Sequence, residues 1–289
     1  MGKSYIHVNL KRFDILKSLG GVNDLDYSNS SDWFNAIANQ LTNKVNQFSP
    51  LDYEFVFYIP EGYLISTLNR LDSKSQLQIG CQSVFSKDVV GNNNIGAFTT
   101  YRPASSMASI GIKDTIIGHS EERAYELEFL NSVSSDEELN KKAIQEDLEE
   151  KIINAQKVGM NVLYCVGESA EERDSDNWKA VLKKQLSLDF SKVDINKLKI
   201  AYEPIWAIGP NRPVPSADKI QEVAEYIHSI IKDIPILYGG GLKETNALDI
   251  AELPDIDGGL IALTNFSDNI GFYPEDFIKI VKKYDEGKK

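Results

Sequence analysis

The sequence predicts an α/β chain folded as a single (β/α)8 barrel spanning residues 1–289. Two observations carry this. Eight short apolar runs alternate with longer amphipathic ones. Most of the short runs are continuous rather than alternating, as expected of parallel strands buried on both faces. The longest connections, Arg12 to Ser30, Ser83 to Arg102 and Leu263 to Tyr273, follow the first, third and eighth runs. All three lie at C-terminal strand ends, where a barrel carries its active site. An open doubly wound sheet is the competing architecture, but no Gly-x-Gly-x-x-Gly follows the first run. No repeat, linker or low-complexity tract marks a domain boundary.

The expected strands are Tyr5 to Val8, Phe55 to Ile59, Leu77 to Cys81, Thr115 to Ile117, Val162 to Val166, Leu198 to Tyr202, Ile236 to Tyr238 and Gly259 to Ala262. Pro60 stops the second. Helical patterns fill the gaps. Ser31-Asp32 caps a helix expected to run to about Phe48, with Trp33, Ile37 and Leu41 on one face. Asp136 to Lys157 sets Leu139, Ile144, Leu148, Ile152 and Ile153 among charges, and Ser216 to Lys232 carries Ile220, Val223, Ala224, Ile227 and Ile231. Pro274 opens the last helix, a first-turn position that proline favours.

Composition narrows the function. Lys and Arg total 31 against 43 Asp and Glu, a formal charge of −12, which argues against nucleic acid and anionic membrane as partners. The chain is 42% hydrophobic and 26% charged, ordinary for a globular protein. No apolar stretch is long enough to span a bilayer, and the first residues carry no signal-peptide core. Cys81 and Cys165 lie in or beside apolar runs, which suits a reducing cytosol. His7, His119 and His228 are too scattered to suggest a metal cluster.

Three strand ends carry polar residues with chemical potential. After the first strand, alternation sets Asn9 and Lys11 on one side and Leu10 on the other; taken alone, Lys11 reads as a solvated charge. After the fourth, His119 leaves an apolar strand and enters a helix N-terminus with Glu121 and Glu122 in its first turn. It reads either as a histidine satisfied by backbone, or as a ring kept neutral by the helix end and able to donate to a carbonyl. After the sixth, Glu203 ends a buried strand, costly without a partner or a role, and Pro204 holds it extended. Ile205, Trp206 and Ile208 read as core packing or as a lid that expels water, with Pro210 to Pro215 as a stiff hinge. Gly239-Gly240-Gly241 lets backbone N–H groups approach an anion, although glycine runs also make plain turns.

With Asn9, Lys11, His119 and Glu203 in this order, the chain resembles the triosephosphate isomerase family. Ala-Tyr-Glu-Pro-Ile-Trp-Ala-Ile-Gly at 201–209 looks like that family's base-and-lid signature. Segments 96–99, 116–121, 165–168 and 238–240 resemble its other motifs, in family order. The resemblance implies a TIM barrel and an aldose–ketose isomerase interconverting dihydroxyacetone phosphate and glyceraldehyde 3-phosphate, with no cofactor and no metal. Glu203 would be the base; His119 and Lys11 would stabilise the enediolate; Asn9 would fix the oxyanion side and Glu121 would support from behind. Asn9, Lys11, Gly209, Gly240, Gly241, Ala262 and Leu263 would hold the phosphosugar. The carboxylate and an uncharged imidazole are expected to face each other across a cavity. A cytoplasmic homodimer through the loop Gly96 to Thr100 is also implied.

Departures cluster at the substrate-gripping end. Gly241 stands for a usual Ser, Ala262-Leu263 for Gly-Gly, and Gly209-Pro210-Asn211 for Gly-Thr-Gly. Glu122 replaces a usual Arg, and Tyr101 a usual Glu near the dimer loop. These changes leave open a paralogue acting on another short ketose phosphate, such as an erythrulose phosphate, or a non-catalytic phosphosugar-binding barrel. A retaining glycosidase would need a second carboxylate about 5 Å from Glu203, with Glu121 or Glu168 as the candidates.

Overall fold

The computed structural model describes residues 2–23, 33–91, 94–207, 214–266 and 269–288. Eight strands run β1 (Ser4–Asn9), β2 (Tyr53–Ile59), β3 (Leu77–Gln82), β4 (Asp114–Ile117), β5 (Asn161–Val166), β6 (Leu198–Tyr202), β7 (Ile236–Tyr238) and β8 (Gly258–Ile261). Each pairs in parallel with its sequence neighbour, and β8 returns to β1, with Ile6 opposite Gly259 and Val8 opposite Ile261. Closure excludes the open sheet. The helices are α1 (Trp33–Val45), α2 (Leu64–Arg70), α3 (Ala104–Ser109), α4 (Ser120–Asn131), α5 (Glu137–Lys157), α6 (Ala170–Asp174), α7 (Trp178–Gln185), α8 (Ala217–Ile230), α9 (Ala247–Ala251) and α10 (Pro274–Lys288).

Local chemistry accounts for the helix ends. Asp136 caps α5 by accepting from the Leu139 N–H at 3.1 Å, and Pro274 starts α10. The cap expected at Ser31-Asp32 lies outside the described residues. Helix α1 stops at Val45, short of Phe48, and Asn46 to Phe48 continue as hydrogen-bonded turns. Helix α8 stops two residues before Lys232 because Ile231 turns extended.

Strand alternation divides the core in two. Val56, Tyr58, Ile116, Leu163, Cys165, Ala201, Leu237 and Leu260 form one cluster, inside the barrel. Their neighbours Phe55, Phe57 and Ile59 belong to the larger cluster beneath the helices, where Phe57 meets Phe277 of α10 with ring centroids 5.4 Å apart. The same alternation puts Asn9 and Lys11 in step with His7, and Glu203 in step with Ala201, on the inward side at the C-terminal strand ends.

The opposite end of the interior holds a polar layer. The buried His7 ring takes a hydrogen bond from the Tyr58 hydroxyl at Nδ1 (2.9 Å) and donates from Nε2 to Glu54 (3.2 Å). Glu54 also pairs with Lys199 at 3.1 Å, and its carboxyl lies at about 2: burial works against this, and His7 and Lys199 outweigh it. Burial keeps His7 below its ordinary range. Nearby Asp114, 4% exposed, accepts from Asn161 at 3.1 Å. Burial, reinforced by the Glu54 charge, raises its carboxyl from 3.8 to about 6. The folded chain therefore holds more protons than the unfolded chain between these two values, so this group's contribution to stability falls as pH rises through that window. Asp114→Asn keeps the acceptor for Asn161 and removes the charge. At pH 7–8 it is expected to be more stable than the parent by up to about 3 kcal/mol, and no different below pH 4, in denaturant melts across pH. A variant equally or less stable at pH 7–8 would contradict this.

Candidate active site

Asn9 ends β1, and its side-chain oxygen accepts from the Lys11 N–H at 3.0 Å. Lys11 sits at φ 43°, a left-handed conformation that costs a residue with a side chain about 1–3 kcal/mol. Gln82, at the end of β3, holds it there: its amide nitrogen reaches the Lys11 carbonyl at 2.8 Å, the Asn9 oxygen at 3.2 Å and the Tyr58 carbonyl at 3.2 Å. With its oxygen so occupied, Asn9 offers its amide nitrogen as a donor. The Lys11 ammonium leads away to Glu121 at 2.8 Å.

His119 is the N-cap of α4. Its Nδ1 accepts from the Glu121 N–H at 3.2 Å. A nitrogen that accepts carries no proton, so the proton of a neutral ring lies on Nε2. That Nε2 is 3.0 Å from Oε1 of Glu203, while Oε2 accepts from the Ser120 N–H at 2.9 Å. Glu203 is 2% exposed, and these are the partners that make a buried carboxylate affordable. Expected to face each other across a cavity, the two groups are instead in contact. The reason is physical: a helix N-terminus and a ring N–H are the nearest donors to a carboxylate cut off from water.

The neighbours of Glu203 are equally constrained. Its N–H donates to the Val166 carbonyl at 2.8 Å, and a Cβ at Gly167 would lie 1.8 Å from its carbonyl oxygen, so only glycine fits there. Burial first, and then the Glu203 charge, push the Cys165 thiol well above its ordinary value, so a protonated thiol lies beside the carboxylate. Glu168, fully buried, accepts from the Tyr202 hydroxyl at 3.0 Å and from the Trp206 indole at 2.8 Å. Burial raises its carboxyl, and the bonds from Trp206 and Tyr202 pull the other way. Trp206 lies in the short turn Ile205–Ala207, so Glu168 fastens the start of the segment read as a lid. Ile208 to Pro213, including Gly209, lie outside the described residues. Glu121 pairs with Lys11, and Glu168 accepts from Tyr202 and Trp206, so both candidates for a second glycosidase carboxylate are engaged elsewhere.

The family profile described as "Triosephosphate isomerase" matches residues 26–284. The chain belongs to the triosephosphate isomerase family. It is similar to the triosephosphate isomerase of Chloroherpeton thalassium, 34% identical over 221 residues (72% of this chain and 77% of that one). It is 31% identical over 238 residues to that of Mycoplasmopsis pulmonis (81% and 86%). Among solved structures, triosephosphate isomerase from Bartonella henselae superposes with a TM-score of 0.67 at 25% identity, covering 98% of this chain and 99% of that one.

Within this triosephosphate isomerase frame, Glu122 and the loops after β7 and β8 take arrangements that sequence reading missed. The Glu122 carboxylate accepts from the Gly118 N–H at 2.7 Å, Ser83 at 2.6 Å and the buried Lys151 ammonium at 2.9 Å. Lys151 also meets Glu126 and Asp147; burial works to lower it, and these carboxylates hold it above its ordinary range. The chain thus anchors the peptide before His119 with a carboxylate on a lysine. Gly241 turns at φ 94°, and Asn246 bonds its carbonyl at 3.2 Å. Ala262 and Leu263 leave β8 half-buried and enter a loop pinned by the Thr264 and Asn265 N–H groups on the Gly271 carbonyl, at 3.0 and 3.1 Å.

Proposed function

We propose that this chain interconverts dihydroxyacetone phosphate and glyceraldehyde 3-phosphate, with Glu203 as general base and His119 and Lys11 as the groups that stabilise the enediolate. The observation that supports this best is the 3.0 Å contact between the buried Glu203 carboxylate and the Nε2 side of His119. A carboxylate takes the proton from the carbon beside the carbonyl. The C–H electron pair becomes the carbon–carbon double bond of the enediolate, and negative charge moves to the carbonyl oxygen. The Nε2–H that now meets Glu203 turns to that oxygen, with the Lys11 ammonium and the Asn9 amide as further donors. Glu203 then returns the proton to the former carbonyl carbon while the hydroxyl proton of the neighbouring carbon passes, by way of the His119 Nε2, to the former carbonyl oxygen, and the balance closes without cofactor or metal. Glu121 supports from behind, through Lys11 and its N–H on His119. Gly240, Gly241, Ala262, Leu263 and, at the lid end, Gly209 are read as the phosphate-holding backbone.

Steady-state kinetics test the substrate. We expect kcat/KM to be much higher on the three-carbon pair than on four-carbon ketose phosphates; the reverse order would make the chain a paralogue for the longer sugar. Binding of phosphosugar with no turnover would make it a non-catalytic barrel.

The whole chain, 1–289, is read as one domain, working in the cytoplasm in glycolysis and gluconeogenesis. We further read it as a homodimer through the loop Gly96 to Thr100. Supporting this, Ile95 is 97% exposed beside the loop, and Tyr101 stacks on Phe85 with centroids 4.0 Å apart while leaving 61% of its surface open. Light scattering on the purified chain is expected to give twice the 32.4 kDa protomer mass, and Ile95→Asp to halve it; a parent that scatters as a single protomer would contradict the dimer.

A further inference from the structure

We propose that the Lys243 ammonium, seated on the ring of Phe266, is the cationic contact for the phosphate of the substrate; this rests on the isomerase reading above. Lys243 follows the glycine turn after β7 by two residues. A Cβ at Gly241 would lie 3.6 Å from Lys243 Cε, so the lysine stem folds back over Gly241. Its ammonium lies 4.2 Å from the centroid of Phe266, in the loop that leaves Leu263 after β8. The lysine therefore joins the glycine turn at 240–241 to the loop that follows 262–263, the two segments at which an anion is expected.

The partners of Lys243 bear on its role. Lys11, Lys151 and Lys199 each pair with a carboxylate, whereas among the described residues none lies within ion-pair distance of Lys243. An aromatic face attracts an ammonium without neutralising its charge, so the N–H groups that point away from the ring stay available to phosphate oxygens. Among the described residues the N–H groups of Gly240 and Gly241 also have no acceptor, and they add neutral donors beside the charge. The position is fixed rather than incidental: the Lys243 N–H donates to the Asn246 side chain at 2.7 Å, and the same side chain bonds the Gly241 carbonyl at 3.2 Å. A net charge of −12 repels a phosphate dianion at long range, so the site has to be locally positive, and a lysine beside the loop amides adds to what Lys11 and those N–H groups supply.

The test compares the parent chain with Lys243→Met, which keeps the stem and removes the charge, and with Lys243→Arg and Phe266→Leu. Three quantities are measured: KM for glyceraldehyde 3-phosphate, the competitive inhibition constant of inorganic phosphate, and the ratio of kcat/KM on glyceraldehyde 3-phosphate to that on unphosphorylated glyceraldehyde. Lys243→Met is expected to raise the first two together by about 10- to 100-fold, the worth of a charge-assisted hydrogen bond, and to collapse the ratio by a similar factor. Lys243→Arg recovers most of it, and Phe266→Leu gives a smaller loss in the same direction. An active parent whose KM and phosphate inhibition are untouched in Lys243→Met overturns the proposal, as does an equal loss on both substrates. A parent that binds inorganic phosphate through Lys243 and fails to isomerise the triose phosphates keeps the anion contact and overturns the isomerase reading instead.

Discussion

Glu203→Gln is expected to lower kcat by about 10²–10⁴, the range that a positioned general base contributes, with KM changed far less. The substitution is close to isosteric. A carboxamide oxygen still accepts from the Ser120 N–H, now at 2.9 Å from Oε2, so the end of β6 keeps its anchor. What disappears is the basic lone pair that takes the proton. Burial argues that the fold survives: a neutral amide at a site 2% exposed needs less compensation than a carboxylate does. With the carboxamide oxygen on Ser120 its NH2 meets the His119 Nε2–H donor to donor, so thermal melts of the variant should fall modestly below those of the parent while turnover collapses by decades. Parent-level kcat in Glu203→Gln would remove this residue from the chemistry.

His119→Ala is expected to lower kcat by about 10²–10³ and to raise KM by much less, because the Nε2–H acts on charge that develops only in the transition state. It also deletes the N-cap of α4, whose Nδ1 accepts from the Glu121 N–H, a loss of about 0.5–2 kcal/mol of stability. The two effects separate in His119→Asn. Asparagine is among the best N-caps, so this variant should regain the stability that alanine loses, yet it lacks a donor at the Nε2 position and should not regain kcat. Recovery of turnover along with stability would show that the imidazole serves only as a cap.

Much of this was legible in the sequence because strand and site signals are local. Continuous apolar runs placed all eight strands to within two residues at either end, and of the polar residues that break those runs His119 and Glu203 meet, while Asn9 and Lys11 end β1 and reach the same α4 turn through Glu121. What stayed hidden depends on closure. His7, Glu54, Tyr58 and Lys199 form one polar layer only because β1, β2 and β6 share an interior, and no spacing along the chain announces it. Gln82 ends β3 as an ordinary polar residue, and only the register of β1 against β2 and of β2 against β3 brings its amide to the strained Lys11. Glu122 reads as a lost positive charge until Lys151, 29 residues on, is seen to supply it. The contact that replaced the expected cavity between Glu203 and His119 follows from partner chemistry, which residue types alone do not fix.

The most direct test of the account is isomerisation of glyceraldehyde 3-phosphate in deuterium oxide, with the product analysed by NMR. Proton transfer through a carboxylate that exchanges with solvent predicts deuterium on the carbon that receives the returned proton, with incorporation and turnover both lost in Glu203→Gln. Isomerisation with no deuterium in the product, the mark of a direct hydride shift, would contradict it.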